Sequence, residues 1–175
     1  MLNHVELLHR PGELDLALEL FEVLGCRAEP YDRVTSWIHV SPDDDDRLNN
    51  VLYVSEIRPE QRDLEVALAQ AIDDDHALAA ARTAYLHKMR TRPHGIPHFG
   101  LRYPSFDAVD AVLARLAHDL PPALAGRVTV GEVIRPGHPQ SMTDELIQAF
   151  VDTDVVASGL FTFRQMIELQ GQRLT

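Results

Sequence analysis

Two histidines occupy matching places in this sequence. His4 opens the segment HVEL and His98 opens the segment HFGL, and in each case an amphipathic helix begins about ten residues after the histidine. A lone histidine in a strand is more often a surface or hydrogen-bonded residue than a ligand. The occurrence of two histidines at matching positions makes a ligand role more credible. Imidazole can bind a metal ion or change its charge near neutral pH. The repeat therefore predicts two similar modules, each of which positions one histidine.

A carboxylate near the end of the chain is the third residue of chemical interest. Glu168 lies between Ile167 and Leu169 in a segment that reads as a strand. Because side chains alternate across a strand, Glu168 must lie on the face opposite both apolar neighbours. If that face is solvent, Glu168 is an ordinary exposed carboxylate. If that face is enclosed, the buried charge needs a partner, and a metal ion could supply one.

The first 58 residues must form the elements that position His4. Apolar spacing predicts a strand at 2–8, a helix at 14–24 and strands near 28–31, 37–40 and 50–57. Gly25 follows the helical stripe, where a left-handed residue ends a helix at least cost. The predicted order is strand, helix, strand, strand, strand.

The rest of the chain contains a helical segment and then the first pattern again. Residues 59–97 predict two helices, the second capped within the aspartates at 73–75, and Pro93 and Pro97 end this connector. Residues 98–175 predict a strand, a helix capped by Ser105, and further strands. These strands are expected at 127–134, 146–151 and 160–169. The prediction is an α+β fold of two βαβββ modules, 1–58 and 98–175, joined by the helical connector 59–97.

Four segments resemble the vicinal oxygen chelate superfamily, which includes glyoxalase I, extradiol dioxygenases and bleomycin-binding proteins. They are LNHV at 2–5, FEVLG at 21–25, HFGL at 98–101 and QMIEL at 165–169. The resemblance implies that paired βαβββ modules curl into one mixed-sheet cup around a metal ion. It also implies that His4, His98 and Glu168 are the metal ligands. His94 is an alternative to His98, although it precedes the predicted strand.

The resemblance leaves the fourth ligand position open between two residues. Alignment of the two modules puts Tyr53 in that position, and Glu56 lies three residues further on. Because of strand alternation, both side chains can face the cup only if a bulge intervenes. A site with Tyr53, or with no protein ligand, favours oxygen chemistry at a facial triad of two histidines and one carboxylate. Glu56 on the metal would favour proton transfer, with a carboxylate as the base.

The resemblance implies an enzyme that depends on one divalent metal ion, Fe, Mn, Ni or Zn. Its substrate would be a small molecule with adjacent oxygens, and the reaction would be of the glyoxalase-like isomerase or lyase type or the extradiol dioxygenase type. The alternative is a binding protein that sequesters a small molecule without catalysis. A third hypothesis makes the connector 59–97 an interaction surface. Superfamily members often pair modules across subunits, so a homodimer is a further expectation.

Composition narrows the classes of partner and compartment. The net charge of −11 opposes binding to nucleic acid, whose phosphates are also negative. No apolar run approaches the roughly 20 residues that cross a bilayer, and residues 1–10 lack a signal-peptide pattern. The only cysteine is Cys26, so no internal disulfide can form. A cytoplasmic protein is therefore expected.

Overall fold

The first half of the chain forms the predicted succession of a strand, a helix and three strands. The computed structural model describes residues 3–173, so Leu2, which the prediction placed in the first strand, lies outside them. The elements are β1 (His4–His9), α1 (Leu14–Val23), β2 (Arg27–Pro30), β3 (Thr35–His39) and β4 (Val51–Glu56). The apolar stripe of α1 is buried at Ala17, Leu20 and Phe21. Gly25 has a φ of 86°, the left-handed conformation expected just after this helix.

The second half begins after two connector helices. The elements are α2 (Pro59–Asp74), α3 (His76–Thr91), β5 (His98–Tyr103), α4 (Phe106–His118), β6 (Val128–Ile134), β7 (Leu146–Thr153), β8 (Val156–Ala157) and β9 (Gln165–Gln172). Both predicted helix caps are confirmed. The Asp75 carboxylate accepts hydrogen bonds from the backbone N–H groups of Ala77 and Leu78. The Ser105 hydroxyl accepts one from the N–H of Ala108.

Two mixed β-sheets carry the fold. The first sheet has the order β2-β3-β4-β1-β8, and the second sheet has the order β5-β9-β7-β6. β1 runs parallel to β4, β5 runs parallel to β9, and the remaining neighbours are antiparallel. The predicted α+β class is therefore confirmed, and the four main strands of each sheet share one arrangement.

One hydrophobic core joins the two halves. It takes buried side chains from α1, α4 and both sheets, among them Phe21, Leu52, Val112 and Ile167. Hydrogen bonds also cross between the halves, and two of them reach the end of α1. The Tyr103 hydroxyl donates to the Leu24 carbonyl over 2.6 Å, and Arg115 Nε donates to the Val23 carbonyl over 3.0 Å. These bonds satisfy carbonyl groups at the C-terminal end of α1, where a helix has no backbone partner for them.

The connector helix α3 covers the other face of the second sheet. Along β7, Ala149 and Val151 belong to the main core, whereas Phe150 between them packs with Met89 of α3. Strand alternation explains why these neighbours face opposite layers. None of the helices within residues 3–173, including the 16-residue α2 and α3, is long and apolar enough to cross a membrane.

The prediction of a strand at 160–169 was wrong at its beginning. Phe161–Phe163 forms a short 3-10 helix, and β9 begins only at Gln165. Glu65 of α2 explains the difference, because its carboxylate accepts hydrogen bonds from the backbone N–H groups of Phe161 and Thr162. Those donors would otherwise be available to a sheet. The β propensity of the segment FTF is thus overridden by a side chain 96 residues away along the chain.

Cys26 is expected to resist thiol reagents in the native protein. The side chain is buried, and burial raises the pKa of its thiol to about 12. Since the thiolate is the reactive form, labelling with a disulfide reagent at pH 8 should be slow when native and complete in denaturant. The thiol loses its proton more readily in the unfolded chain than in the folded protein. The free energy of unfolding should therefore fall as the pH rises from 9 toward 12. Rapid stoichiometric labelling of the native protein would contradict this.

Candidate metal centre

The first and last strands of each half are paired in the same register. His4 lies opposite Val51, and His98 lies opposite Met166. Two residues further along, Glu6 lies opposite Tyr53, and Gly100 lies opposite Glu168. Tyr53 therefore stands in the first sheet where Glu168 stands in the second sheet.

His98 and Glu168 are in direct contact, as the metal hypothesis requires of two ligands. His98 Nε2 lies 3.1 Å from Glu168 Oε2. The other carboxylate oxygen, Oε1, accepts a hydrogen bond of 2.7 Å from the amide of Gln148 on β7. Glu168 is buried, whereas a quarter of the His98 side chain (25%) is exposed. The carboxylate is thus held in place, while the imidazole remains accessible from solvent.

The hydrogen bond on the other side of the His98 ring decides what Nε2 can do. His98 Nδ1 lies 2.7 Å from the backbone carbonyl of Ile96, and a carbonyl can only accept, so Nδ1 carries a hydrogen. In neutral imidazole Nε2 then has only a lone pair. That lone pair faces a carboxylate oxygen, and two acceptors at this distance repel each other. A proton shared by the two groups, on either Nε2 or the carboxyl, or a metal ion between them removes this repulsion.

Phe150 forms an apolar wall beside this pair. The rings of His98 and His94 both meet the Phe150 ring edge-on, with centroid distances of 5.6 Å and 5.8 Å. His94 Nε2 is buried and has no hydrogen-bond partner among residues 3–173. His94, the alternative to His98 as a ligand, therefore packs on the same aromatic ring as His98. A buried nitrogen without a partner is costly, so it too would gain from a proton acceptor or a cation.

His4 lies on the first sheet in a different environment. Its ring stacks on Tyr53 with a centroid distance of 4.6 Å, and its Nδ1 lies 2.5 Å from the side-chain oxygen of Asn3. The Asn3 amide nitrogen donates to the Leu48 carbonyl, which assigns the oxygen to the side facing His4. Nδ1 of His4 is therefore the protonated nitrogen, and Nε2 is available as a ligand, as in His98.

The structure brings together two of the three predicted metal ligands. Within residues 3–173, no three His, Cys, Asp or Glu side chains form a group that could hold one ion, and His4 contacts Tyr53 and Asn3. The metal assignment of the three residues stays a prediction. Glu56 lines a cavity with His9 and residues of α1, whereas Tyr53 stacks on His4. The two candidates for the fourth position thus lie on opposite faces of β4, as alternation requires.

Gln148 is a site residue that sequence reasoning missed. It is buried in β7 and faces Glu168, because its register partner on β9 is Gln170, two residues beyond the carboxylate. The sequence signal was a single polar residue in the apolar run LIQAFV. A glutamine in such a run does not reveal its partner, since the pairing of β7 with β9 is set by long-range packing.

The chain was compared with family models, with curated proteins and with solved structures, and none of the three comparisons gave a match. The resemblance to the vicinal oxygen chelate superfamily therefore rests on the four sequence segments quoted above, and it stays a prediction.

Proposed function

We propose that this protein is a metal-dependent enzyme of the vicinal oxygen chelate type. His98 Nε2 and Glu168 Oε2 would bind one divalent ion, Fe, Mn, Ni or Zn, and the resemblance to the superfamily, rather than a contact in the structure, implies His4 as the third ligand. The observation that carries the proposal is the contact of 3.1 Å between His98 Nε2 and a carboxylate oxygen of Glu168, while His98 Nδ1 faces the Ile96 carbonyl, since a metal ion shared by Nε2 and the carboxylate would satisfy both acceptors. A hydrogen bond from the other ring nitrogen to a backbone carbonyl is common in metal-bound histidines.

The neighbouring groups would prepare the two ligands. The Ile96 carbonyl fixes the tautomer and orientation of the His98 ring, and Gln148 holds one oxygen of Glu168 while leaving the other free. Phe150 shields the edge of the imidazole from water. When bound, the metal would act as a Lewis acid toward a substrate with two adjacent oxygens. The exposed quarter of His98 gives such a small molecule a route to the site.

Within this class, oxygen chemistry of the extradiol type is the better supported reaction. Tyr53 occupies the position that corresponds to Glu168, and Glu56 lies against α1 with His9. A carboxylate base at the fourth position, as the isomerase and lyase reactions would need, is therefore not supplied by Glu56. The proposal also includes a cytoplasmic location and a homodimer, which follow from the single cysteine and from the resemblance.

The second candidate is a binding protein of the same fold without catalysis. A doubly protonated His98 would form a hydrogen-bonded ion pair with Glu168, which satisfies both groups without a metal. The two candidates differ in what occupies the space between Nε2 and Oε2, so metal binding separates them directly.

The test is a titration of the purified full chain with Fe(II), Mn(II), Ni(II) and Zn(II) against a chromophoric chelator. We expect about one equivalent of at least one metal to bind, and affinity to fall at lower pH because protons compete for imidazole. His98→Ala and Glu168→Gln should each weaken binding by more than roughly tenfold. His87→Ala, which removes an exposed histidine of α3, is the matched control and should bind as the unchanged protein does.

Two results would count against the proposal. Binding of less than roughly a tenth of an equivalent of every metal would leave the ion pair as the resting state and favour the binding protein. An equal loss of affinity in His87→Ala and His98→Ala would show that the metal is held elsewhere on the surface. If the metal does bind at His98 and Glu168, oxygen uptake by the Fe(II)-loaded protein with a catechol would test the reaction class separately.

A further inference from the structure

A second cavity lies on another part of the molecule and has an unusual lining. It has a volume of about 360 Å³ and lies where the connector helices α2 and α3 meet the end of β1 and the 3-10 helix before β9. Its cationic residues are Arg10, Arg62, Arg82 and Arg164. Neither His98 nor Glu168 lines it, so it is separate from the proposed metal centre. Its size lies within the range of roughly 300–1,000 Å³ found for small-molecule sites.

The charge of this cavity opposes that of the whole chain. The protein carries a net charge of −11, yet four guanidinium groups line one cavity against only two carboxylates, Glu65 and Asp154. Both carboxylates already have partners. Glu65 accepts from the backbone N–H groups of Phe161 and Thr162 and from the Thr162 hydroxyl, at 2.6–3.0 Å. Asp154 accepts from Arg127 Nε over 2.9 Å. The lining thus carries four cationic side chains against two carboxylates that are already hydrogen-bonded.

Two of the four arginines, Arg62 and Arg82, form no salt bridge with either carboxylate of this cavity, whereas Arg10 and Arg164 both approach Asp154. Arg82 donates only through Nε, to the Thr162 carbonyl over 3.1 Å, and no carboxylate within residues 3–173 forms a salt bridge with it. Among the side chains that the structure describes, Arg62 forms a salt bridge with its exposed neighbour Asp63 alone, at 3.3 Å. The fork of a guanidinium pairs well with both oxygens of one carboxylate. Arg62 on α2 and Arg82 on α3 therefore offer donors for an anion from two different helices.

The rest of the lining is apolar and partly aromatic. Ile57, Val66 and Phe161 contribute hydrocarbon surface, and the Arg10 guanidinium lies over the Phe161 ring at 4.4 Å from its centroid. Arg10 is fixed there, since its Nη1 also donates to the Asp154 carbonyl over 2.5 Å. A few polar groups among apolar walls are typical of sites that orient a small organic molecule by its charged end.

We propose that this cavity binds a small organic carboxylate. The carboxylate would pair with Arg62 and Arg82, and its aliphatic or aromatic body would pack against Ile57, Val66 and Phe161. An organic carboxylate fits better than an inorganic anion, because an inorganic anion would leave the apolar walls of the cavity in contact with water. Inorganic phosphate shares the negative charge but lacks an apolar body, and a titration with each anion separates the two.

The test is calorimetric titration of the full chain with benzoate, hexanoate and inorganic phosphate. We expect saturable binding of at least one carboxylate, which weakens with added salt. Arg82→Gln and Arg62→Gln should each raise its Kd by about tenfold. Arg33→Gln removes an exposed arginine outside this cavity and should leave the Kd unchanged, as should Glu168→Gln in the proposed metal centre.

A variant that blocks the cavity distinguishes a loss of binding from a loss of folding. Ala69 lines the cavity from an exposed position of α2, so Ala69→Trp should fill the space and abolish carboxylate binding without disturbing the core. The absence of saturable binding up to about 10 mM would overturn the proposal. So would binding that Arg33→Gln weakens as much as Arg82→Gln does. Binding of inorganic phosphate alone, with the same arginine dependence, would overturn the assignment to a carboxylate.

Discussion

Asp152→Ala is expected to lower the free energy of unfolding by about 3–5 kcal/mol, the usual cost of removing one partner of a buried ion pair. Asp152 is 1% exposed. One carboxylate oxygen accepts from Arg90 Nε at 2.7 Å, and the other accepts from Arg164 Nε at 2.6 Å. The Arg164 side chain is itself only 14% exposed, so the substitution removes its close counter-ion and leaves it with Asp154 at 3.9 Å. Urea denaturation followed by circular dichroism measures the change.

The location of Asp152 makes this a test of how the connector is attached. Arg90 belongs to α3, whereas Arg164 precedes β9, so a single carboxylate on β7 holds three separate parts of the chain. Asp63→Ala is the matched control, because Asp63 is exposed and pairs with Arg62 at 3.3 Å. That control should change stability by less than about 1 kcal/mol. A cost below about 1.5 kcal/mol for Asp152→Ala would contradict the prediction, because it would mean that water can hydrate the two arginines in place of the carboxylate.

Phe150→Ala should cost a similar amount, about 3–5 kcal/mol, because it deletes a large side chain that is fully buried. Phe150 packs with Met89, Ile134 and Met166 between the second sheet and α3. These neighbours come from three different elements and cannot all move into the space that alanine leaves. Phe150→Leu should cost much less, because it keeps most of the volume. Thermal and urea unfolding of both variants would give the difference.

Phe163→Ala provides the comparison for this second substitution. Phe163 is 36% exposed and meets Tyr85 edge-on at a centroid distance of 6.0 Å, so its loss should cost about 1 kcal/mol. If Phe150→Ala and Phe163→Ala were equally destabilising, the packing of α3 on the second sheet would be looser than the structure describes. Metal titration of Phe150→Leu would also show whether the wall beside His98 affects ligand binding.

The main elements of the fold could be predicted because their signals are local. The stripe through Val109, Val112 and Leu116 repeats that of α1, and all three side chains are buried in α4. Turn residues and caps such as Ser105 marked where the helices begin. The sequence also predicted that the two halves are similar, and the four main strands of each sheet do share one arrangement.

The features that the sequence did not predict depend on distant partners. The two-residue strand β8 exists because Val156 and Ala157 pair with His9 and Leu8, and no local pattern indicates such a pairing. In the candidate site, the register of β5 and β9 places Glu168 beside His98, whereas the orientation of the His98 ring depends on the Ile96 carbonyl. That carbonyl belongs to a turn, and its direction cannot be read from residue types.

The position of β8 has a consequence for how the chain could be divided. β8 lies between β7 and β9 in the sequence, but it completes the edge of the first sheet beside β1. If the polypeptide were cut within the connector, β1 in one fragment would have an open hydrogen-bonding edge. In the other fragment, β8 would have no strand to pair with. Such fragments are suited to reassociate by complementation, since an exposed strand edge recruits a pairing partner.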